Sequence, residues 1–333
     1  MVKKDKKQIE VSVIVPCYNE ENTIQLLLSA ILSQNFEKEK IEVIIADANS
    51  EDQTRIKIVE FAEKHKELSI CTVVNPGRTI PAAVNAAANR ASGEILVRMD
   101  AHSVPDKDYI FHSVNLLKSG KAQNVGGVWE IQPGSKTCIA KAIARAASHP
   151  LGAGDANYRI SRKSGYVDTV PFGAFRKDVF MKLGQFNEKM LSNEDYEFNT
   201  RLRKNGGKVW MDTRIRSKYF ARKNLKEIAR QYWRYGFWKV KMLKNHPDSL
   251  RWRQAIPPLF LLFIFIFGIL SFLNPIALII FLVGTSAYLL ALIIASLIES
   301  VRRREISYLL MPFAFMAMHF NWGGGFLYSL FKK

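Results

Sequence analysis

The chain has 333 residues, of which 48% are hydrophobic, which is enough for one large or two medium soluble domains and a membrane part. Its three cysteines, Cys17, Cys71 and Cys138, are odd in number and far apart, which excludes a disulfide framework and a cysteine-based metal site. The formal net charge of +18 indicates an anionic partner, either lipid headgroups or nucleic acid.

The first hundred residues alternate between strand-like and helix-like segments. Residues 1–10 are a polar, lysine-rich tail that lacks the apolar core of a signal peptide. Apolar runs predict strands at 11–16, 41–46, 68–74 and 94–99, and helical periodicity predicts helices at 21–34 and 80–91. Ser50-Glu51-Asp52-Gln53 predicts a capping box that starts another helix. Such alternation is typical of a parallel α/β sheet, which binds ligands beyond the carboxyl ends of its strands.

Polar or charged residues follow each of the four predicted strands. They are Tyr18, Asn19 and Glu20 after the first; Asp47 and Asn49 after the second; Asn75 and Arg78 after the third; and Asp100 and His102 after the fourth. Because the carboxyl ends of parallel strands meet at one edge, we expect these side chains to line a common ligand site.

From about residue 107 the pattern becomes mixed α and β. Strands are predicted at 124–131, 167–172 and 208–211, and helices at 136–148 and 194–204. Between residues 214 and 253, thirteen Lys and Arg residues accompany two acidic residues. Within this stretch, residues 225–243 place aromatic and aliphatic side chains on one side and basic ones on the other. This predicts an amphipathic helix at a membrane surface, which we prefer to a nucleic-acid-binding arm.

The last eighty residues are strongly apolar. Residues 255–273 and 275–298 carry no charge and are long enough to span a membrane, and Pro257 and Pro258 are expected at the tolerant start of the first helix. The arginines at 302–304 mark the cytoplasmic side, so the first span leaves the cytosol and the second returns. A third stretch, 306–331, is interrupted by Pro312, His319 and three glycines, and either crosses or re-enters.

Five short motifs, in this order and spacing, resemble family-2 glycosyltransferases of the GT-A fold. They are Val15-Pro16-Cys17-Tyr18-Asn19-Glu20, Ala46-Asp47-Ala48-Asn49-Ser50, Asp100-Ala101-His102, Glu194-Asp195 and Gln231-Tyr232-Trp233-Arg234. The Asp-Ala-His and Asn-Glu-Asp-Tyr stretches and the glycine-rich tail further resemble membrane-bound, succinoglycan-type exopolysaccharide glycosyltransferases. The resemblance implies a Rossmann-like GT-A domain with a mixed sheet at 11–220, a basic interfacial region at 221–253 and a membrane domain at 254–333.

The resemblance also implies roles for individual residues. Asp195 would be the general base, supported by Glu194, and Asp100 with His102 would hold Mn²⁺ or Mg²⁺ against the donor diphosphate. The implied contacts to the nucleotide sugar are Pro16, Tyr18, Glu20, Asp47, Asn49, Arg78, Asp100, Gln231, Trp233 and Arg234. His102 stands where the family often has a second carboxylate, and Ala48 where it often has a second acid.

The function that the resemblance implies is inverting transfer from a nucleotide sugar, with UDP as the default, to a hydroxyl of a lipid-linked glycan. The enzyme would be a multi-pass protein of the cell membrane with its catalytic domain on the cytoplasmic face, and it would not bind nucleic acid. Three alternatives stay open at this point. They are a polyprenyl-phosphate glycosyltransferase, a processive synthase and a non-catalytic scaffold that binds nucleotide sugars.

Overall fold

The computed structural model describes residues 8–154, 156–160 and 163–332, and the chain divides into two units. The first unit comprises residues 1–130 and 161–219, and the second comprises residues 131–160 and 220–333. Residues 131–160, which the family resemblance places in the GT-A domain, therefore group with the C-terminal part of the chain.

Strands and helices follow one another in the order that the apolar patterns predict for the first hundred residues. The strands are β1 (Val11–Cys17), β2 (Ile41–Asp47), β3 (Ser69–Val74), β4 (Ile95–Arg98), β5 (Ser103–Pro105), β6 (Asn124–Gln132), β7 (Gly165–Tyr166), β8 (Ala174–Arg176) and β9 (Val209–Phe220). The helices are α1 (Ile24–Leu32), α2 (Thr54–Lys64), α3 (Ile80–Arg90), α4 (Tyr109–Lys118), α5 (Cys138–Ala147), α6 (Pro150–Ala153), α7 (Asn157–Ile160), α8 (Lys177–Lys182), α9 (Glu194–Lys204), α10 (Leu225–Asn245), α11 (Trp252–Leu270), α12 (Pro275–Arg303) and α13 (Met311–Phe331).

One mixed sheet organises the first unit. Its order is β3-β2-β1-β4-β8-β6-β9-β5, and β7 pairs with β9. The pairs β1/β2, β1/β4 and β2/β3 are parallel, whereas β4/β8, β6/β8 and β5/β9 are antiparallel. The predicted parallel half of the sheet is therefore confirmed, and the antiparallel half begins at β8, beyond the central strand β4.

Apolar side chains cover both faces of the parallel half of the sheet. Val13 and Val15 point into one core with α1 and α4, and Ile14 points into the other core with α3. Successive residues of a strand face opposite sides, so a strand that is buried on both faces is apolar at nearly every position. The buried polar residues Ser12 of β1 and Glu42 of β2 hydrogen-bond to each other at 2.6 Å. Alanines at 83, 87 and 88 make the inner face of α3 flat enough to lie close to the sheet.

Two predictions of local structure in the first unit are wrong. The segment 167–172 is irregular, because Pro171 has no N–H for a strand partner and Phe172 has a positive φ of 62°. The capping box at Ser50 does not form, and α2 begins at Thr54. The Ser50 hydroxyl instead donates to the Asp47 carboxylate and accepts from the backbone N–H of Asn19.

In the second unit, α10 and α13 lie in close contact along glycines. A Cβ atom on Gly236 would be 2.1 Å from the carbonyl oxygen of Trp322, and one on Gly325 would be 2.2 Å from that of Trp233. Only glycine permits such close contact between helices. The Gly323-Gly324-Gly325 run therefore serves helix packing, and it does not interrupt the third apolar segment as predicted. Residues 311–331 form one helix, and the buried side of α10 packs against it.

Two helices in the described part of the chain, α11 and α12, are long and apolar enough to cross a membrane. Helix α11 begins at Trp252, so Pro257 and Pro258 lie within the helix and not at its start as predicted. Pro258 cannot donate to the carbonyl of Gln254. The indole Nε1 of Trp322 donates to that carbonyl at 3.1 Å, which satisfies the acceptor that the proline leaves open.

Candidate active site

The carboxyl ends of β1 and β2 are held together by a buried carboxylate. Asp47, the last residue of β2, accepts from the backbone N–H and hydroxyl of Ser50 and from Arg55 Nε at 2.5 Å. Arg55 Nη2 also donates to Asn49 Oδ1 at 2.9 Å, and Asn49 has a positive φ of 60°. The predicted positions Asp47 and Asn49 therefore lie side by side in a fixed turn, with Asp47 almost fully buried.

Tyr18 and Arg78 lie together at the same edge of the sheet. The Tyr18 side chain follows β1 and is 45% exposed, and the guanidinium carbon of Arg78 is 5.9 Å from the centre of its ring. Arg78 Nη2 also approaches Glu51 Oε1 at 3.6 Å. Pro16 is buried within β1 opposite Ala46. An exposed aromatic ring beside a cation can stack on a base while the cation approaches a phosphate.

A buried arginine joins the Asp-Ala-His turn to the start of α9. Arg98, the last residue of β4, donates from Nε to Asp100 Oδ1 at 3.2 Å and from Nη1 to Glu194 Oε1 at 3.1 Å. Its guanidinium also lies over the ring of Phe186, at 5.7 Å. The predicted metal position and the predicted base-support position, 94 residues apart in sequence, therefore share one cation.

The motifs did not single out Arg98, although the sequence contains a signal for it. A single charged residue stands in the apolar run Ile95-Leu96-Val97-Arg98-Met99, and the side chain of Arg98 is only 5% exposed. A charge on a buried strand has to be paired, so its partners must come from other motifs. Burial lowers the pKa of Arg98, but nearby Asp100, Glu194 and Asp195 together raise it above its ordinary value, which keeps the guanidinium charged.

Asp195 lies in the first turn of α9, beside Glu194. Burial and the negative charge of Glu194 raise the pKa of Asp195 to about 7, although the positive charge of Arg98 acts in the opposite direction. The backbone N–H of Tyr196 donates to Asp195 Oδ1 at 2.7 Å. A carboxyl group that titrates near neutral pH can accept a proton from a hydroxyl more readily than an ordinary aspartate can.

His102 lies on the turn that follows β4. The backbone N–H and the hydroxyl of Ser103 both donate to the carbonyl of Asp100, at 2.9 and 2.7 Å. His102 Nδ1 lies 2.9 Å from Glu20 Oε1, so the predicted metal turn is joined to the loop after β1. Glu20 was predicted to contact the nucleotide, whereas in the structure its carboxylate contacts this histidine.

The Asp-Ala-His turn provides side chains that fit a divalent cation whose remaining ligands come from a bound substrate and water. In the described ranges no three His, Cys, Asp or Glu side chains form a cluster that could hold a metal. A cation that bridges phosphate oxygens needs only one or two protein ligands, since the substrate and water supply the others. Asp100, whose Oδ1 is bound by Arg98, and His102 provide one carboxylate and one imidazole, a set that Mn²⁺ accepts.

The fifth motif, Gln231-Tyr232-Trp233-Arg234, lies on α10 in the second unit. Gln231 Nε2 donates to Tyr235 Oη at 2.7 Å, Trp233 packs against Gly324 and Tyr328, and Arg234 is exposed. Because this motif and the strand-end residues belong to different units, their joint role at one site stays a prediction.

Comparison with known proteins assigns the family. The family model described as glycosyl transferase family 2 matches residues 12–184, which include β1 to β4 and the Asp-Ala-His turn. The chain belongs to this family. As a family-2 glycosyltransferase it is an enzyme, and the resemblance read from the motifs is confirmed.

Curated relatives of this family-2 glycosyltransferase carry names of a dolichyl-phosphate-linked sugar transferase and of a succinoglycan biosynthesis protein. A Methanococcus voltae protein named dolichyl N-acetyl-alpha-D-glucosaminyl phosphate 3-beta-D-2,3-diacetamido-2,3-dideoxy-beta-D-glucuronosyltransferase is 27% identical over 97% of both chains. Succinoglycan biosynthesis protein ExoA of Rhizobium meliloti is 29% identical over 74% of this chain and 73% of its own. These names support a glycosyltransferase that acts on lipid-linked or polysaccharide substrates.

A solved structure confirms the predicted fold class. The mannosyltransferase PcManGT of Pyrobaculum calidifontis, in complex with GDP-Man and Mn²⁺, aligns with 98% of this chain and 88% of its own, with a TM-score of 0.64 and 19% identity. At this identity the likeness establishes the GT-A-like fold alone. The mixed sheet, followed by two apolar helices, agrees with the fold expected from the sequence.

Proposed function

We propose that this enzyme transfers a sugar, with inversion, from a nucleotide-sugar donor to a hydroxyl group of a lipid-linked glycan at the cytoplasmic face of the membrane. The observation that carries the proposal is the Arg98 bridge between Asp100 and Glu194. It links the loop proposed for the donor diphosphate to the helix that carries the proposed base. We take UDP as the first nucleotide to test.

In the proposed reaction, Asp195 accepts the proton of the acceptor hydroxyl as its oxygen attacks the anomeric carbon. The bond from this carbon to the diphosphate breaks on the opposite side, and the nucleoside diphosphate leaves with the bonding electrons. The raised pKa of Asp195 supports this role, since a base is most effective when its pKa lies near the working pH. Glu194 and Arg98 hold the first turn of α9 in place.

The residues proposed for the donor divide into a nucleoside part and a diphosphate part. Tyr18, Pro16, Asp47 and Asn49 would hold the base and ribose, and Arg78 would approach the phosphates. Gln231, Trp233 and Arg234 would complete the diphosphate contacts, with the arginine as a bidentate donor. Asp100 and His102 would hold Mn²⁺ or Mg²⁺, which when bound neutralises charge on the departing diphosphate.

Three observations support a lipid-linked acceptor at the membrane. Helices α11 and α12 could anchor the enzyme where the lipid part of an acceptor resides, and arginines at 302–304 favour the cytosolic side for the end of α12. The name of the Methanococcus voltae relative specifies a dolichyl N-acetylglucosaminyl phosphate, which is a lipid-linked sugar. The exposed Arg230 and Lys226 of α10 would face anionic headgroups.

Nucleotide release by the full chain in detergent tests the proposal. UDP-, GDP- and dTDP-sugars would be offered with Mn²⁺ or Mg²⁺ and a membrane-lipid extract. We expect release from one donor, lost with chelator and reduced about 100-fold or more in Asp195→Asn and Asp100→Ala. Asp178→Asn is the matched control, because this aspartate is exposed and pairs with Arg176 on the surface.

Each other outcome would contradict a specific part of the proposal. Full activity of Asp195→Asn would exclude this residue as the base and would favour a polyprenyl-phosphate acceptor, which needs none. Donor binding without release in any lipid extract would support the non-catalytic scaffold. Release that persists in chelator would remove the metal from the mechanism.

A further inference from the structure

A carboxylate lies behind the imidazole of the Asp-Ala-His turn. Glu20 Oε1 is 2.9 Å from His102 Nδ1, and the Thr23 hydroxyl donates to the other oxygen, Oε2. The backbone N–H of Glu20 donates to Thr54 Oγ1 at 2.8 Å. Because both carboxylate oxygens and the backbone N–H have protein partners, the direction of the Glu20 side chain is fixed.

This contact determines which nitrogen of a neutral His102 carries the proton. An ionised carboxylate only accepts hydrogen bonds, so the proton must be on Nδ1. The lone pair is then on Nε2, on the side of the ring away from Glu20. Imidazole binds metal ions through such a lone pair, and the hydrogen bond of the other nitrogen sets both the tautomer and the ring orientation.

We infer that Glu20 is a positioning residue that orients His102 for metal binding, and that it does not contact the nucleotide. The inference rests on the proposed function, since it requires the metal. A carboxylate that touched the donor would repel its diphosphate, whereas one behind the imidazole makes the ring a stronger ligand. Glu20 is also the less exposed of the two side chains, at 21% against 37% for His102.

A purely structural role explains the contact less well. A partly exposed pair of this kind contributes little to the free energy of unfolding. Glu20 is nevertheless held by two further hydrogen bonds: the Thr23 hydroxyl donates to its carboxylate, and its backbone N–H donates to Thr54 Oγ1. Such support is what a residue needs if it has to keep a ligand within a narrow range of orientations.

Mn²⁺ binding to the full chain in detergent tests the inference without any turnover. Free Mn²⁺ would be measured by electron paramagnetic resonance with UDP or GDP present, in the wild type, Glu20→Ala, Glu20→Gln, His102→Ala and the double variant. Glu21→Ala is the matched control, because this neighbouring carboxylate accepts from the backbone N–H of Gln53 at 3.1 Å. Thermal unfolding of each variant would be recorded in parallel.

We expect Glu20→Ala to weaken Mn²⁺ binding roughly 10- to 100-fold, as outer partners of metal-binding histidines do. Glu20→Gln should lose less, since its amide oxygen still accepts from Nδ1. In the His102→Ala background, Glu20→Ala should weaken Mn²⁺ binding by less than about twofold further, because the effects of two residues that act through one another do not add. The nitrogen coupling of bound Mn²⁺ should disappear in His102→Ala.

Other results would overturn the inference. If Glu20→Ala lowers only the unfolding temperature, the contact is structural. If it still weakens binding in the His102→Ala background, Glu20 acts directly on the metal or the nucleotide. If the wild type binds nucleotide but no Mn²⁺, the metal part of the proposed function fails together with the inference. If the wild type binds Mn²⁺ and Glu20→Ala binds it equally well, the inference alone fails.

Discussion

Replacement of Arg98 by methionine should destabilise the first unit strongly. Methionine keeps an unbranched apolar side chain over Phe186, so packing changes little. The charge that satisfies Glu194 and Asp100 is lost. The Glu194 side chain is only 8% exposed, so its carboxylate cannot recover hydration without movement of α9.

The size of the effect follows from this burial. Removal of one partner of a buried ion pair costs about 3–5 kcal/mol, because the remaining charge stays desolvated. For a unit of this size, 1 kcal/mol lowers the unfolding temperature by about 2–4 °C, so a decrease of roughly 6–20 °C is expected. Loss of the positive charge should also raise the pKa of Asp195 further, since Arg98 lowers it in the wild type.

Thermal unfolding in detergent, followed by tryptophan fluorescence, would measure the effect. Arg176→Met is the matched control, because Arg176 is 53% exposed and pairs with Asp178 on the surface, so its loss should cost less than about 1 kcal/mol. Adding Glu194→Gln to Arg98→Met should restore part of the stability, since it removes the unpaired charge. The reasoning would be refuted if Arg98→Met unfolded like the control, or if Glu194→Gln gave no recovery.

Two further predictions concern protonation and helix packing. Because the folded-state pKa of Asp195 is raised to about 7, the native state binds more protons than the unfolded state between about pH 4 and 7, and stability falls as pH rises through this window. The free energy of unfolding of Asp195→Asn should therefore exceed that of the wild type by about 1–3 kcal/mol at pH 8 and by much less at pH 5. An equal difference at both pH values would contradict the raised pKa. Gly325→Ala should lower the unfolding temperature clearly, because its Cβ would lie 2.2 Å from the carbonyl oxygen of Trp233. Gly268→Ala is the control and should be tolerated, because its Cβ would lie at an ordinary 3.6 Å from its nearest neighbour. Equal effects of the two alanine substitutions in a melting assay would exclude the proposed close approach of α10 and α13.

Local patterns predicted those elements whose environment can be read from a short window. Nearly continuous apolar runs identified β1, β2 and β4, because a strand buried on both faces has few polar positions, and those it has are paired, as Ser12 and Glu42 are. Helix α9 begins at the predicted Glu194, where three acidic residues in the first turn favour a helix start. The same windows failed at 167–172, where Pro171 cannot donate to a strand partner and Phe172 has a positive φ, and at Ser50, whose hydroxyl accepts from the distant backbone N–H of Asn19.

For the candidate site, too, the sequence predicted some features and the tertiary structure decided the others. The sequence alone identified the strand-end positions of Tyr18, Asp47, Asp100 and His102, since the carboxyl edge of a parallel sheet gathers whatever follows its strands. It could not assign their partners. The Arg98 bridge and the Glu20–His102 contact join residues 96 and 82 positions apart, and only the tertiary structure brings such groups within hydrogen-bonding distance. A motif therefore determines which chemical groups are present, whereas their ionisation, tautomer and direction depend on neighbours that only the folded chain supplies.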